Sequence, residues 1–130
     1  MTTLNELAEM LDAATGPSRG LDRAVGIALA GWTATTDQWG PALLVDGDRY
    51  PDTSGSAFPD ITSSIDAALA LVERMLPGWD WALQKTGKVS TCWLNPPGTH
   101  LGRTIHAATA PIAILKALVA ALIAQEKNHG

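Results

Sequence analysis

Three histidines and one cysteine are the side chains of this sequence with the widest catalytic repertoire, and their spacing decides little in favour of catalysis. His100 and His106 stand in a His-x5-His arrangement on a polar stretch. That does not match the i, i+4 histidine pair of a metalloprotease helix, and no glutamate lies between them. No metal site and no cofactor are expected. Cys92 falls in a predicted strand, remote in sequence from a plausible Asp or Asn partner to orient a base. A Cys92 pair with His100 or His106 would make a nucleophile if the fold brought them together. The simpler expectation is a buried thiol and solvated imidazoles.

The segment Gly98-Thr99-His100-Leu101-Gly102-Arg103-Thr104 has the glycines of a phosphate-binding loop without its Gly-Lys-Ser/Thr ending, and it follows no parallel-strand pattern. Nucleotide hydrolysis is therefore unsupported. Ahead of a helix, Thr99, Arg103 and Thr104 can still offer hydroxyls, a guanidinium and backbone N–H groups to an anion.

Five tryptophans beside one Tyr and one Phe are the strongest departure from ordinary composition. Trp79 and Trp81 alternate along a predicted strand and so share a face, and Trp93 on the neighbouring strand is expected to join them. Such rings either pack a sheet against helices or stack on a nucleobase, with Arg19, Arg103, Lys85 or Lys88 meeting its phosphates. Asp80 and Asp37, beside tryptophans, are candidate acceptors for base or ribose donors. The ligand-binding set read from the sequence is Trp79, Trp81 and Trp93 for stacking, with Arg19, Arg103 and Thr104 for phosphate or ribose.

The elements that must position these residues follow from period and capping. Thr3-Leu4-Asn5-Glu6 is a capping box, and Leu4, Leu7 and Leu11 stripe a helix ending near Ala14. After the Gly16-Pro17 break, Ser18 or Gly20 caps a second helix carrying Leu21, Val25 and Leu29, with Gly31 at its end. The Thr-rich run from Trp32 to Trp39 and the run Ala42–Val45 read as strands, with Asp46-Gly47 as a turn. Residues 49–59 read as a surface loop. Ser63-Ser64-Ile65-Asp66 opens a third helix, with Ile65, Leu69, Val72 and Leu76 expected on its apolar face, and Leu76-Pro77-Gly78 stops it. A strand from Trp79, a turn at Thr86-Gly87 and a strand from Val89 to Leu94 follow. Residues 95–104 read as a second polar loop, and Thr109 caps a final helix with Pro111 in its first turn.

That final helix is apolar nearly all round, which fits either the centre of a core or an interface shared with a second copy. In so small a domain the second is favoured, giving a homo-oligomer joined through this helix. Its apolar run is broken by Thr109, Pro111 and Lys116 and is too short for a bilayer, so no membrane span is expected. At 130 residues, 46% hydrophobic and 17% charged, the chain reads as one globular domain spanning 1–130. A formal charge of -4 argues against a nucleic-acid polymer as partner, but not against a small anionic ligand. The lone cysteine and the absence of a signal-peptide pattern at Met1–Leu4 make the cytoplasm the expected compartment. The expected class is α+β, a small antiparallel sheet layered with helices as an α-β-α sandwich.

Several segments taken together resemble the phage ABA (alpha-beta-alpha) sandwich domain family. They are 13–22 (Ala-Ala-Thr-Gly-Pro-Ser-Arg-Gly-Leu-Asp), Ala28–Trp32, Thr62–Leu69, Pro77-Gly78-Trp79-Asp80-Trp81, and Thr109-Ala110-Pro111 with its Ala/Leu-rich helix. They span most of the chain in the family's order; the stretch 52–56 and the Pro96-Pro97 loop depart from it. The resemblance implies a phage or prophage protein with an α-β-α arrangement, and it carries over no catalytic or ligand residues. A role it suggests is non-enzymatic: binding and sequestering a cyclic or ADP-ribose-derived nucleotide that an infected bacterium makes as an immune alarm. Direct inhibition of a host defence protein through the tryptophans and the last helix is the alternative, and a nucleotide-degrading enzyme that uses His100 or His106 comes third.

Overall fold

The structure, a computed structural model, describes residues 3–52, 59–97 and 104–129, the last three of these by their backbone alone. Four α-helices and two antiparallel three-stranded sheets make up these residues, an α+β layout consistent with a sandwich.

Local chemistry sets the helix starts as expected. Helix α1 spans Leu4–Ala13, and the Thr3 hydroxyl accepts the Glu6 N–H at 3.1 Å. Helix α2 spans Arg19–Ala28, where Ser18 Oγ accepts the Leu21 N–H at 3.1 Å. A 3-10 turn at Ile61–Ser63 leads into α3, Ile65–Met75, capped by Ser64 on the Ala67 N–H at 3.1 Å. Helix α4, Ala110–His129, begins at Thr109, whose hydroxyl takes the Ile112 N–H at 3.4 Å. One face differs from expectation: α3 buries Ala68, Leu71 and Val72, while Ile65 is 42% exposed. Ile65 is the first residue of the helix, and the core contacts of this stretch are made by Ile61 and Thr62 of the preceding 3-10 turn.

The first sheet holds β1 (Thr33–Asp37), β2 (Gly40–Val45) and β3 (Asp48–Pro51) in that order. Strand β3 corrects the reading of residues 49–59 as loop from their start. Asp46 and Gly47, with φ of 51° and 87°, form a primed turn that returns the chain at once. The second sheet holds β4 (Asp80–Thr86), β5 (Val89–Asn95) and β6 (Thr104–Ala107). Strand β6 is a second correction, since its first residue, Thr104, belongs to the stretch 95–104 expected as loop.

Helix α4 packs against β5 and β6 and also against α1, α3 and the 3-10 turn. Pro111 to Leu115 and Ala117 to Val119 are buried within a single chain. The central-core alternative thus accounts for the apolar circumference over the first half of this helix, without a second copy. Leu7, Leu11, Ile112, Ile114, Leu115 and Leu118 are each almost wholly buried. At roughly 1.5–3 kcal/mol per such side chain, this core outweighs the surface ion pairs, each worth about 0–1 kcal/mol. Among the described residues no helix is long and apolar enough to cross a membrane.

Candidate functional site

Strand β5 is the spine of the candidate site, because its two faces have different surroundings. Ser90, Cys92 and Leu94 are buried on the side of α4, while Thr91, Trp93 and Asn95 alternate onto the other side. Residues paired directly across antiparallel strands share a face. Trp93 therefore stands in a row with Ala82 of β4 and Thr104 of β6, and Thr91 in a row with Gln84 and His106. The Trp93 indole N–H donates to Thr104 Oγ1 at 2.8 Å, and Thr91 Oγ1 is hydrogen-bonded to His106 Nδ1 at 2.9 Å. Ala82, Gln84, Thr104 and His106 are exposed, and none of the described helices lies over this face.

Two members of the sequence-derived set, Trp93 and Thr104, are brought together here. Trp79, Trp81 and Arg19 lie elsewhere. Trp81 pairs with Leu94, which places it on the α4 side of the sheet, so the expectation that Trp93 joins Trp81 on one face is corrected by the strand register. Trp81 is 44% exposed because β4 is the outer strand and α4 covers mainly β5 and β6. Trp79 precedes β4; its N–H bonds the Leu76 carbonyl at 3.2 Å, and its ring is partly buried against the core. Arg19 opens α2, where its Nη1 pairs with the buried Asp22 at 2.8 Å. Arg103, Thr99 and His100 lie outside the described residues. Lys85 stands on the Trp81 side of β4, and Lys88 in the β4–β5 turn.

The register also separates two groups that nucleophilic catalysis would need side by side. Cys92 pairs with Ile105 on the α4 face, whereas His106 pairs with Thr91 on the opposite one. Burial pushes the Cys92 thiol up to about 11, so the nucleophilic thiolate is disfavoured at neutral pH. Among the described residues no three His, Cys, Asp or Glu side chains converge as metal ligands would. The outer face carries Asp80 but, among the described residues, no Lys or Arg. It is suited to a planar ring and its hydrogen-bonding edge more than to a phosphate.

A second exposed cluster was not assembled from the sequence. Trp39, in the β1–β2 turn, is 73% exposed, and the Arg49 guanidinium lies 5.6 Å from its ring centroid. Asp37 accepts from Arg49 Nε at 2.6 Å and Nη2 at 2.8 Å, and from the Trp39 N–H at 2.9 Å. The Arg49 hydrogen bond holds the Asp37 carboxyl below its ordinary value, and Asp37 in turn raises Arg49. Asp37 thus serves Arg49 and the turn. The missing signal was β3 itself, which carries Arg49 across from the turn. No family model, curated relative or solved structure matches this chain.

Proposed function

We propose that the chain is a non-enzymatic nucleotide-binding protein of a phage or prophage. It sequesters a cyclic or ADP-ribose-type immune messenger in the cytoplasm of the infected bacterium. The observation that carries this reading is the Trp93 indole, tethered through its N–H to Thr104 on a sheet face that no described helix covers. A ring restrained in this way loses little freedom when a base stacks on it, and stacking contributes about 1–3 kcal/mol per base. Gln84, Thr91 and His106, one row along, supply donors and acceptors for a base edge. Sequestration requires no nucleophile, which accords with Cys92 and His106 standing on opposite faces. The phage assignment is supported by the sequence resemblance alone.

The test is to incubate the protein with a panel of signalling nucleotides, remove free ligand by filtration, heat-denature the protein and analyse what it releases. Intact nucleotide, retained by wild type and lost in Trp93→Ala, is the expected result. A degraded product would make the chain an enzyme instead. If every nucleotide passes through unbound, the reading fails.

The Trp39–Arg49 cluster favours a second reading, a module that grips a host defence protein directly, since exposed Trp and Arg dominate protein-binding hot spots. Capture of one host protein by wild type and Trp93→Ala but not by Trp39→Ala, with no nucleotide retained, would replace the first reading with this one.

A further inference from the structure

We infer that two copies of this chain associate through the free edge of β4, antiparallel about Leu83, so that the β4–β5–β6 sheets of both copies run on as one. The inference is independent of the nucleotide reading.

Among the described residues β4 pairs only with β5, and along Asp80–Thr86 all side chains but Leu83 are exposed. It contains no proline, whereas β3 ends in Pro51, and at seven residues it is longer than β6, the other edge of its sheet. The Gly87–Lys88 turn is hydrogen-bonded and pairs Thr86 with Val89. Hydrogen-bonded pairs alternate with non-bonded ones along an antiparallel ladder, so Thr86, Gln84, Ala82 and Asp80 direct their main-chain groups to β5. Trp81, Leu83 and Lys85 therefore direct theirs outward, a row of donors and acceptors that invites a further strand.

One register satisfies all of them. With Leu83 opposite the partner's Leu83, Trp81 stands opposite the partner's Lys85, and every outward N–H and C=O of Trp81, Leu83 and Lys85 meets a main-chain partner. Centring on Ala82 instead would place Lys85 opposite the partner's Trp79, whose N–H is already held by the Leu76 carbonyl. The Leu83-centred register is complementary in side chains too. Lysine on an edge strand ordinarily discourages pairing. Here each Lys85 ammonium meets an indole, and the two lysines are kept apart across the axis. Trp81, 44% exposed in one chain, would be covered. Because α4 lies mainly over β5 and β6, the Trp81, Leu83 and Lys85 side chains of both copies occupy the space between the two α4 helices.

Sedimentation velocity over a range of protein concentrations, with Leu83→Pro and Trp81→Lys as variants, tests this. Wild type is expected to reach twice the 13.6 kDa of one chain as concentration rises. Proline at 83 removes an outward N–H and leaves the β5 ladder intact, so a folded chain is expected by circular dichroism, with dimerisation weakened by more than about tenfold. Trp81→Lys, at an exposed position, sets lysine against the partner's Lys85 and should have the same effect. Should the proline variant not fold, Trp81→Lys decides. A wild type that stays monomeric at every concentration overturns the inference, as does a folded variant that dimerises as well as wild type.

Discussion

The carboxylate of Asp22 and the threonine at position 62 lock α2 to the start of the α3 unit. Asp22 Oδ1 accepts both the Thr62 N–H at 2.7 Å and the Thr62 hydroxyl at 2.6 Å, and both residues are buried. Arg19 completes the group through Asp22 Oδ2 at 2.8 Å. Asp22→Ala leaves a buried N–H and hydroxyl without this acceptor, and a loss of about 2–4 kcal/mol is expected from the desolvation of unpaired groups. Arg19→Ala leaves both Thr62 contacts of Asp22 in place but takes the cation from a buried carboxylate, so a loss smaller than that of Asp22→Ala is expected. Urea unfolding midpoints distinguish the two. Equal losses would show that the ion pair, not the Thr62 hydrogen bonds, holds the joint.

Gly26 faces the Trp32 ring so closely that a Cβ there would overlap its six-membered portion. The contact folds the chain back after α2, and the Trp32 N–H bonds the Gly26 carbonyl at 3.0 Å. In an open helix, Gly→Ala stabilises by about 1 kcal/mol. Here Gly26→Ala is expected to destabilise by about 1–3 kcal/mol, because the indole must leave a packed position. A thermal melt of Gly26→Ala that rises above wild type would refute the contact.

These relationships show which parts of the fold were legible in the sequence. Thr3, Ser18, Ser64 and Thr109 cap their helices as their positions suggested, because capping is settled within a few residues. Strands β3 and β6 do not show in the sequence, since four residues carry too little alternation to stand out, although the Asp46-Gly47 turn requires a returning strand. The division of the tryptophans was recoverable. A two-residue turn pairs odd positions with even ones, so Trp81 and Trp93 must lie on opposite faces of a β4–β5 hairpin. Gly26 against Trp32, and Arg49 against Trp39, depend on tertiary placement that no local pattern contains.

Cys92 should behave as a core residue, not as a reagent. Its thiol is raised from 9.0 to about 11 by burial, so the folded state keeps the proton where the unfolded chain would lose it. Its contribution to stability is therefore full below pH 9.0 and lost as pH rises towards about 11. Native protein at pH 8 is expected to resist thiol-modifying reagents until it is unfolded in denaturant. Rapid labelling of the native chain would place the thiol at the surface and reopen a chemical role for it.

Trp93 and Trp79 should give opposite results when truncated, because one stands on an open sheet face and the other packs against the core. Trp79→Ala is expected to lower stability by roughly 3 kcal/mol, near the lower end for removing a large buried ring, since Trp79 is only partly buried. Trp93, also partly buried but outside the core cluster, should cost less in stability on replacement by alanine, and Trp93→Ala should weaken nucleotide retention by about 5- to 150-fold, the equivalent of one stacked base. Thr104→Val separates tethering from stacking: it removes the acceptor of the Trp93 indole N–H but leaves the ring. Its signature is a shift of that one indole N–H resonance, with a loss of affinity smaller than that of Trp93→Ala. If Trp93→Ala binds every nucleotide as wild type does, the outer face of the sheet is not where the ligand sits.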